Sequence, residues 1–443
     1  MNINLMAHTE IESGYGRMGH FVRKALADMG VENSGDIGNG TDGRAHVDPS
    51  QPHFDNGVPL ERVALWLSTP PHVRGWYKGQ FPAILTMWES TVIPEGFREN
   101  LHHFERIFVP SLQNQELYSQ YHDDVQYVPL GVSEHWVPTA RPPIGRDFVF
   151  LTAGYGERKG VEQVVEAFRT AFPGGMPLVE GGPRVQLVCK TKDDVFGPNI
   201  TRINRILDGP EERDLYASAH CFVSGSKGEG WGLMPLQAIA QGCPTILGGD
   251  HGHKAYAHLG IALDTHPYRC AGATFWGDGG SWWEPDFAQM VEAMRDVYLN
   301  YAEHATRAAE NAVLATQEFT WHRTAEELVF GLADQLFEPG PRTRVWYSAN
   351  ARVFHVRVNK KVTYVINGIK YAFEPGRDYW EAADLKRQLL ASGHLDMETF
   401  DPHDLGREDS VALGQLKAAN AICPECHNPY NRESTYRELF ADA

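Results

Sequence analysis

A glycine-rich stretch from residue 224 to residue 244 contains the residue types and spacing best suited to chemistry. It follows a short apolar run that predicts a buried parallel strand, and a helix-like segment begins within it at residue 233. A strand, a glycine loop and a helix in this order aim backbone N–H groups at a phosphate. Glu229 adds a carboxylate to the loop, and Gln237 lies two helical turns further on. This combination suits a ligand that is part sugar and part nucleotide diphosphate, although glycine loops precede helices in many α/β proteins.

A second strand, glycine loop and helix open the chain. Residues 2 to 7 predict a strand, Gly14 and Gly16 fall in the predicted loop, and residues 18 to 29 carry apolar side chains at helical spacing. One glycine pair is weak evidence, because any tight turn from a strand to a helix would use it. Like the loop around Glu229, this unit is typical of a nucleotide-binding type of domain, and it opens the chain.

Length and composition limit the class of protein. At 443 residues the chain is too long for one core, so two or three domains are expected. A formal net charge of −17 argues against nucleic acid or an anionic membrane surface as a partner. We expect neither a signal peptide nor a transmembrane helix, since no basic start precedes an apolar segment and no apolar run reaches about 18 residues. The six cysteines, mostly isolated, fit reduced core thiols in a cytoplasmic protein.

The order of the apolar segments predicts two large domains. In residues 1 to 138 and in residues 147 to 338, short apolar strands alternate with amphipathic helices, which indicates parallel sheets covered on both faces. The proline-rich residues 137 to 146 separate the two patterns. Within the second pattern, residues 251 to 285 are expected to be irregular, and residues 319 to 338 are expected to contain its last helix.

The pattern of predicted secondary structure changes after residue 341, and residues 342 to 443 predict a small appended α+β module. Alternating strands flank an Asn-Gly hairpin signal at residues 367 and 368, and residues 384 to 391 predict a short helix. Cys423 and Cys426 form a single Cys-x-x-Cys pair. A structural zinc site needs four ligands, so a reduced thiol pair is favoured over a metal site.

Four stretches of the first 338 residues, about three quarters of the chain, form an ordered set of motifs. They are Gly14-Tyr15-Gly16-Arg17; Trp88-Glu89-Ser90 through Val109-Pro110-Ser111 to Val128-Pro129-Leu130-Gly131-Val132; Arg158-Lys159-Gly160; and Glu229-Gly230-Trp231-Gly232-Leu233 with Gln241-Gly242-Cys243-Pro244. The set resembles the glycosyltransferases of the GT-B fold, and among them the large retaining family 4. The resemblance implies two Rossmann-like domains that face each other across a cleft. It also implies transfer of a sugar from a nucleoside diphosphate sugar to an acceptor, with retention at the anomeric carbon and usually without a metal.

The resemblance also implies roles for individual residues. Lys159 matches a lysine at a helix N-terminus that would neutralise the diphosphate leaving group. Glu229 matches a carboxylate that would hold hydroxyl groups of the donor sugar, and Gly230 and Trp231 would offer backbone N–H groups. The complete expected donor-binding set is Gly14, Gly16, Arg158, Lys159, Lys190, Glu229, Gly230, Trp231, Gly232 and Gln237.

Two positions depart from the family pattern. The second glutamate, which usually grips the ribose of the nucleotide, is Gln237 here, and an amide binds hydroxyl groups without charge assistance. Gly154 or Ala153 stands where the family often has an arginine before the lysine. Arg158 or Lys190 is then expected to supply the missing cation. The first departure predicts weaker or altered nucleotide binding.

Two side chains of the first domain are candidates for contact with the acceptor or the sugar. His72 lies in a loop after a predicted strand, although lone histidines are more often structural. Glu89 follows another predicted strand, and it either acts likewise or caps the next helix. The expected catalytic set is Glu229, Lys159 and His72. A degenerate GT-B scaffold that binds or assembles without catalysis is the alternative function, and a phosphorylase or epimerase is more remote.

Overall fold

The structure is a computed structural model, and its main described ranges lie between residues 2 and 336. They are residues 2–8, 13–33, 61–70, 80–270 and 280–336, together with six strands between residues 344 and 399. The chain forms two compact units, Met1–Glu327 and Leu328–Ala443.

The first unit begins with a sheet of six strands, and every neighbouring pair in it is parallel. Its strands in spatial order are Glu32–Asn33, Asn2–Ala7, Val63–Leu67, Phe81–Leu85, Arg106–Val109 and Val125–Tyr127. The strand Val63–Leu67 has the sequence VALWL and is buried at every position. A continuous apolar run of this kind is typical of a parallel strand whose two faces are both covered by helices.

The same unit contains a second sheet of six strands, and its neighbouring pairs are also all parallel. Its strands in spatial order are Ile261–Leu263, Thr245–Gly248, Cys221–Val223, Asp147–Ala153, Arg184–Lys190 and Ile200–Ile203. An antiparallel hairpin, Thr265–Arg269 with Ser281–Pro285, adds to this half of the unit. The two sheets with their helices are the two Rossmann-like domains that the sequence predicts, so the expected α/β fold class is confirmed.

Helices cover both sheets, and their buried faces carry the core. In the first domain the helices are Gly14–Asp28, Glu95–Leu101 and Leu112–Tyr118. The later helices are Val161–Ala171, Gly209–Ser218, Leu233–Ala240, Phe287–Leu299, Tyr301–Glu318, Trp321–Gly331 and Ala333–Leu336. In the second domain, Phe148, Phe150, Phe168 and Phe172 pack together in one buried aromatic cluster. Within the described residues, no helix is long and apolar enough to cross a membrane.

After the helix Tyr301–Glu318 the chain returns to the first domain. The backbone N–H of Val132 donates to the carbonyl of Phe319 at 2.9 Å, and the hydroxyl of Thr324 donates to the carbonyl of Pro129 at 2.8 Å. A Cβ on Gly131 would lie 2.2 Å from the backbone of Thr320, so only glycine permits this approach. These contacts place residues 319 to 324, at the start of the range where the last helix was predicted, against the end of the first sheet.

The structure corrects two local predictions. The helix Gly14–Asp28 begins four residues earlier than the predicted residue 18, because Ser13 caps it by accepting from the N–H of Gly16. Gly14 and Gly16 therefore lie in the first helical turn and not in a loop before it. Residues 251 to 285 are not irregular, since a strand of the second sheet and the antiparallel hairpin lie within this range.

The second unit contains short strands in two sheets. A four-stranded sheet has the order Asp378–Ala382, Val353–Arg357, Arg344–Tyr347 and Asp396–Thr399, and a hairpin pairs Val362–Ile366 with Ile369–Phe373. The pairing of these two strands agrees with the predicted hairpin, whose turn at residues 367 and 368 lies outside the described residues. The predicted helix at residues 384 to 391 and the pair Cys423 and Cys426 lie outside the described residues. The predicted domain boundaries, residues 138, 147, 338 and 342, remain predictions.

Candidate functional site

One large cavity, of about 2270 Å³, is lined by residues from both Rossmann-like domains. Ligands of open α/β sheets bind beyond the carboxyl ends of the strands, and the lining follows this rule. The expected site residues along its wall are Gly14, Glu89, Arg158, Lys159, Lys190, Glu229, Gly230, Trp231, Gly232 and Gln237. Gly16 is not part of the wall, because it is buried and its N–H donates to the Ser13 hydroxyl at 2.9 Å. His72 lies outside the described residues.

Lys159 and Glu229 form the central ion pair of the cavity. The ammonium nitrogen of Lys159 lies 2.5 Å from Oε1 of Glu229, and the Ser226 hydroxyl donates to the same oxygen at 2.7 Å. Arg158 approaches the other carboxylate oxygen at 3.5 Å. Burial by itself raises the pKa of Glu229, but the cations Lys159 and Arg158 outweigh it and hold this pKa far below its usual range. Glu229 is therefore an ionised, oriented acceptor for hydrogen bonds.

Glycine residues hold Lys159 in place. Gly154 has a φ of +130°, and a Cβ on it would lie 2.8 Å from the Cβ of Lys159, so the lysine stem covers this glycine. Gly160 has a φ of +61°, and a Cβ on it would lie 2.0 Å from the carbonyl oxygen of Gly225. At Gly160 and Gly225, the turn that carries Lys159 and the loop that carries Glu229 therefore approach each other backbone to backbone. Burial lowers the pKa of Lys159, and the charge of Glu229 opposes this shift.

The missing arginine of the family has no room at Gly154, because a side chain there would collide with Lys159. Lys190 lies on the neighbouring strand, and its backbone carbonyl accepts from the N–H of Gly154 at 3.1 Å. Its ammonium group is 3.5 Å from the buried carboxylate of Glu212, which Arg17 also contacts at 2.7 Å. The Glu212 carboxylate thus pairs with two cations at the cavity wall, Arg17 of the first Rossmann-like domain and Lys190 of the second.

Arg158 is used differently. Its guanidinium donates to the carbonyl of Gly228 at 2.5 Å and lies 3.7 Å from Glu89 of the first domain. Glu89 does not cap the helix Glu95–Leu101, whose N-cap residue is Pro94 without a side-chain hydrogen bond. Burial raises the pKa of Glu89, and the positive charge of Arg158 partly offsets this. Arg158 therefore bridges carboxylates of both domains across the cleft.

Gln237 lies on the first turns of the helix Leu233–Ala240. Only 4 % of its surface is exposed, it lines the cavity, and its Oε1 atom has no hydrogen-bond partner within the described structure. A buried amide oxygen without a partner is costly unless a ligand group donates to it. The position expected to hold the ribose is thus available to accept from a hydroxyl group.

Sequence reasoning did not identify Ser226 or Glu212 as part of the site. Ser226 stands three residues before Glu229 in the same glycine loop, which is the local signal that would have found it. Glu212 is 195 residues from its partner Arg17, so no sequence spacing indicates that pair. Within the described residues, no group of three or more His, Cys, Asp or Glu side chains is arranged to hold a metal ion.

Comparisons with known proteins give a fold for this arrangement. No family model and no curated protein matches the sequence. The structure is similar to a sucrose-phosphate synthase from Thermosynechococcus elongatus, with 14 % identity and a TM-score of 0.52 over 74 % of this chain and 97 % of that one. It is also similar to HepE of Anabaena, solved in complex with UDP and glucose, with 12 % identity and a TM-score of 0.49 over 75 % of this chain and 99 % of that one. The likeness to the synthase and the two parallel sheets around one cavity show that this chain has the GT-B fold, with two Rossmann-like domains.

Proposed function

We propose that the protein is a retaining glycosyltransferase, of the family 4 type, that uses a nucleoside diphosphate sugar. The observation that carries the proposal is the paired Lys159 and Glu229 at a cavity that both domains line. A cation for a diphosphate and a carboxylate for sugar hydroxyls lie 2.5 Å apart, and Gln237, with its unpartnered amide oxygen, lines the same cavity. These three groups match the three parts of such a donor.

In the proposed reaction, the bond between the anomeric carbon and the diphosphate oxygen breaks, and a bond to an acceptor hydroxyl oxygen forms. Negative charge develops on the departing diphosphate, and Lys159, with Lys190 beside its glycine turn, stabilises it. Glu229 fixes the sugar through its hydroxyl groups, which contributes rate by orientation. The proton of the acceptor hydroxyl leaves to a base or to the diphosphate itself. We propose that none of these steps requires a metal.

The acceptor belongs to the first domain in this proposal, and Glu89 is its candidate base among the described residues. It follows the strand Phe81–Leu85 at the carboxyl end, lines the cavity and faces Arg158. His72 is the other candidate for this base, and mutagenesis of His72 would test it.

The direct test is to mix the purified protein with a panel of uridine, guanosine and adenosine diphosphate sugars and to measure released nucleoside diphosphate. Release with at least one donor is expected, and nuclear magnetic resonance of the product would give the anomeric configuration. Absence of both binding and release across the panel would overturn the proposal. Binding of a donor without turnover, across many acceptors, would instead favour a non-enzymatic scaffold.

Gln237 provides a prediction about donor affinity. Replacing it by glutamate is expected to lower the KM for the donor about fivefold with little change in kcat, because a charge-assisted hydrogen bond is stronger by about 1 kcal/mol. Gln237→Leu, of similar size but without polar atoms, is expected to raise KM about tenfold, since it loses a hydrogen bond in a buried site. Steady-state kinetics with the donor varied would measure both. A leucine variant with the KM of the wild type would remove Gln237 from the donor site.

Glu89 provides a prediction about pH. If its carboxylate deprotonates the acceptor hydroxyl, kcat/KM should rise with pH through the pKa of Glu89, which burial has raised above its ordinary value. Glu89→Gln should lose this acidic limb and about 10²-fold of kcat, a typical contribution of general base catalysis. The measurement is a pH profile of kcat/KM for both proteins. An unchanged acidic limb in Glu89→Gln would assign the base to another group.

A further inference from the structure

The loop that carries Glu229 rests on a second segment, residues 251 to 256, which we name the clamp segment. It follows the strand Thr245–Gly248 directly. The N–H of Gly252 donates to the carbonyl of Glu229 at 3.0 Å. The buried hydroxyl of Tyr256 lies 3.0 Å from the carbonyl oxygen of Trp231 and 2.5 Å from that of Gly232. Three carbonyl oxygens of the loop are therefore directed at the clamp segment.

The contact between the loop and the clamp segment leaves no spare room. A Cβ on Gly252 would lie 2.6 Å from the backbone nitrogen of Trp231, so this position requires glycine. A Cβ on Gly232 would lie 2.6 Å from both the His253 ring and the Tyr256 hydroxyl, and Gly232 has a φ of +92°. Both glycines are thus needed to let the two backbones approach. The loop has one conformation that fits this support.

His253 supports the loop as a neutral ring. It is completely buried, and burial lowers its pKa to about 4, so it is uncharged at neutral pH. Its Nδ1 atom lies 3.3 Å from the carbonyl oxygen of Gly248, which assigns the ring proton to Nδ1. The ring therefore packs under Gly232 without adding a positive charge beneath the Glu229 carboxylate.

The amides on the other side of the loop face a different environment. Residues 230 to 233 line the cavity, and within the described structure none of their four N–H groups donates a hydrogen bond to the protein. The carbonyls of Glu229, Trp231 and Gly232 share their peptide planes with the N–H groups of Gly230, Gly232 and Leu233, so these three N–H groups point away from the clamp segment. A row of such N–H groups before a helix is a binding surface for anionic oxygen.

We propose that Tyr256 is a positioning residue. By holding the carbonyls of Trp231 and Gly232, it turns the loop amides towards the cavity, where they bind an anionic oxygen of a nucleoside diphosphate. The identity of this ligand rests on the proposed function, whereas the effect of Tyr256 on the loop does not. Gly252 and His253 complete the support, and the sequence motif His251-Gly252-His253 thereby gains a structural role.

The test compares Tyr256→Phe with Tyr298→Phe. Tyr298 is also buried and also donates its hydroxyl to a backbone carbonyl, that of Pro183 at 3.1 Å, but this acceptor lies outside the loop that carries Glu229. Uridine, guanosine and adenosine diphosphates are the probes, measured by calorimetry on the full chain. For the diphosphate that binds the wild type most tightly, Tyr256→Phe is expected to raise Kd about fivefold and Tyr298→Phe less than about twofold, because the lost carbonyl contact contributes about 1 kcal/mol. Equal Kd values for Tyr256→Phe and the wild type would overturn the proposal.

Hydrogen exchange gives a readout that needs no ligand. The N–H of Gly252 is bonded to the loop in the wild type, so its exchange should accelerate about tenfold in Tyr256→Phe and not in Tyr298→Phe. If the wild type binds none of the three diphosphates, the proposed function fails. Exchange at Gly252 then decides the positioning role alone: acceleration supports it, and an unchanged rate overturns it.

Discussion

Replacing Lys159 by methionine is expected to lower kcat/KM about 10³-fold, the effect of removing a preorganised group that stabilises charge in the transition state. The ammonium group lies in a buried part of the cavity wall, where the interaction with a diphosphate is stronger than it would be in water. Methionine keeps the length and packing of the lysine stem over Gly154, so the loss measures the charge. Most of the loss should appear in kcat, because the negative charge of the leaving group is greatest in the transition state.

Lys192→Met is the matched control. Lys192 lines the same cavity, but its ammonium group lies 4.8 Å above the ring of Tyr155 and no carboxylate of the site contacts it. We expect its kcat/KM to stay within about threefold of the wild type, as for a peripheral cation. Steady-state kinetics of released nucleoside diphosphate would compare the three proteins. Similar losses in both variants would mean that general cavity charge, and not Lys159, supports the reaction.

The sequence predicted the two sheets well, because parallel strands buried on both faces have a strong local signature. The strand Asn2–Ala7 has the bounds that the sequence predicted. The strands Ile200–Ile203 and Ile261–Leu263 were missed, since each has only three or four residues, too few for a periodic signal. Such strands form because a sheet edge offers them hydrogen bonds, and this information is tertiary.

Site residues that belong to a recognisable sequence motif were predicted. Residues whose contacts join distant segments of the chain were missed. Lys159 and Glu229 each lie in a glycine turn that can be recognised in the sequence, and the fold brings them together. Tyr256 was assigned to an irregular segment, because its contacts with two loop carbonyls form only after folding. The first glycine turn was misread for a related reason. Ser13 caps the helix before Gly14, so glycines that looked like a loop are the start of a helix.

Ion pairs beside the loop that carries Glu229 join the two domains. Arg158 contacts Glu229 of the second domain and Glu89 of the first, and Arg17 of the first domain contacts Glu212 of the second. A diphosphate that binds between the two domains would compete with these glutamate carboxylates for the cations Arg158 and Arg17. Binding of the donor is therefore expected to change the contacts that hold the domains together, as well as the site itself.

Glu229→Ala is expected to lower kcat/KM about 10³-fold while the protein remains folded, because the sugar loses an ionised acceptor that holds it in position. Glu229→Gln should fall between this variant and the wild type, since an amide still accepts a hydrogen bond but without charge. Glu157→Gln is the control, because Glu157 lines the same cavity but is exposed and accepts from the hydroxyl of Tyr268 at 2.6 Å. Full activity of Glu229→Ala would remove Glu229 from the site.

The stability of the same variant tests the electrostatic origin of this arrangement. The pKa of Glu229 is held far below its unfolded value by Lys159 and Arg158, so its ionised form stabilises the folded protein above the unfolded pKa. This stabilisation is lost as pH falls through the acidic range. Breaking a buried ion pair costs about 3 kcal/mol, so the Tm of Glu229→Ala should lie well below that of the wild type at pH 7. The difference should shrink as the pH is lowered below about 4, where the unfolded glutamate takes up its proton. A Tm difference that did not change with pH would show that Glu229 supports the fold by packing, and the ion pair with Lys159 would then be a consequence of the fold and not part of what holds the loop in place.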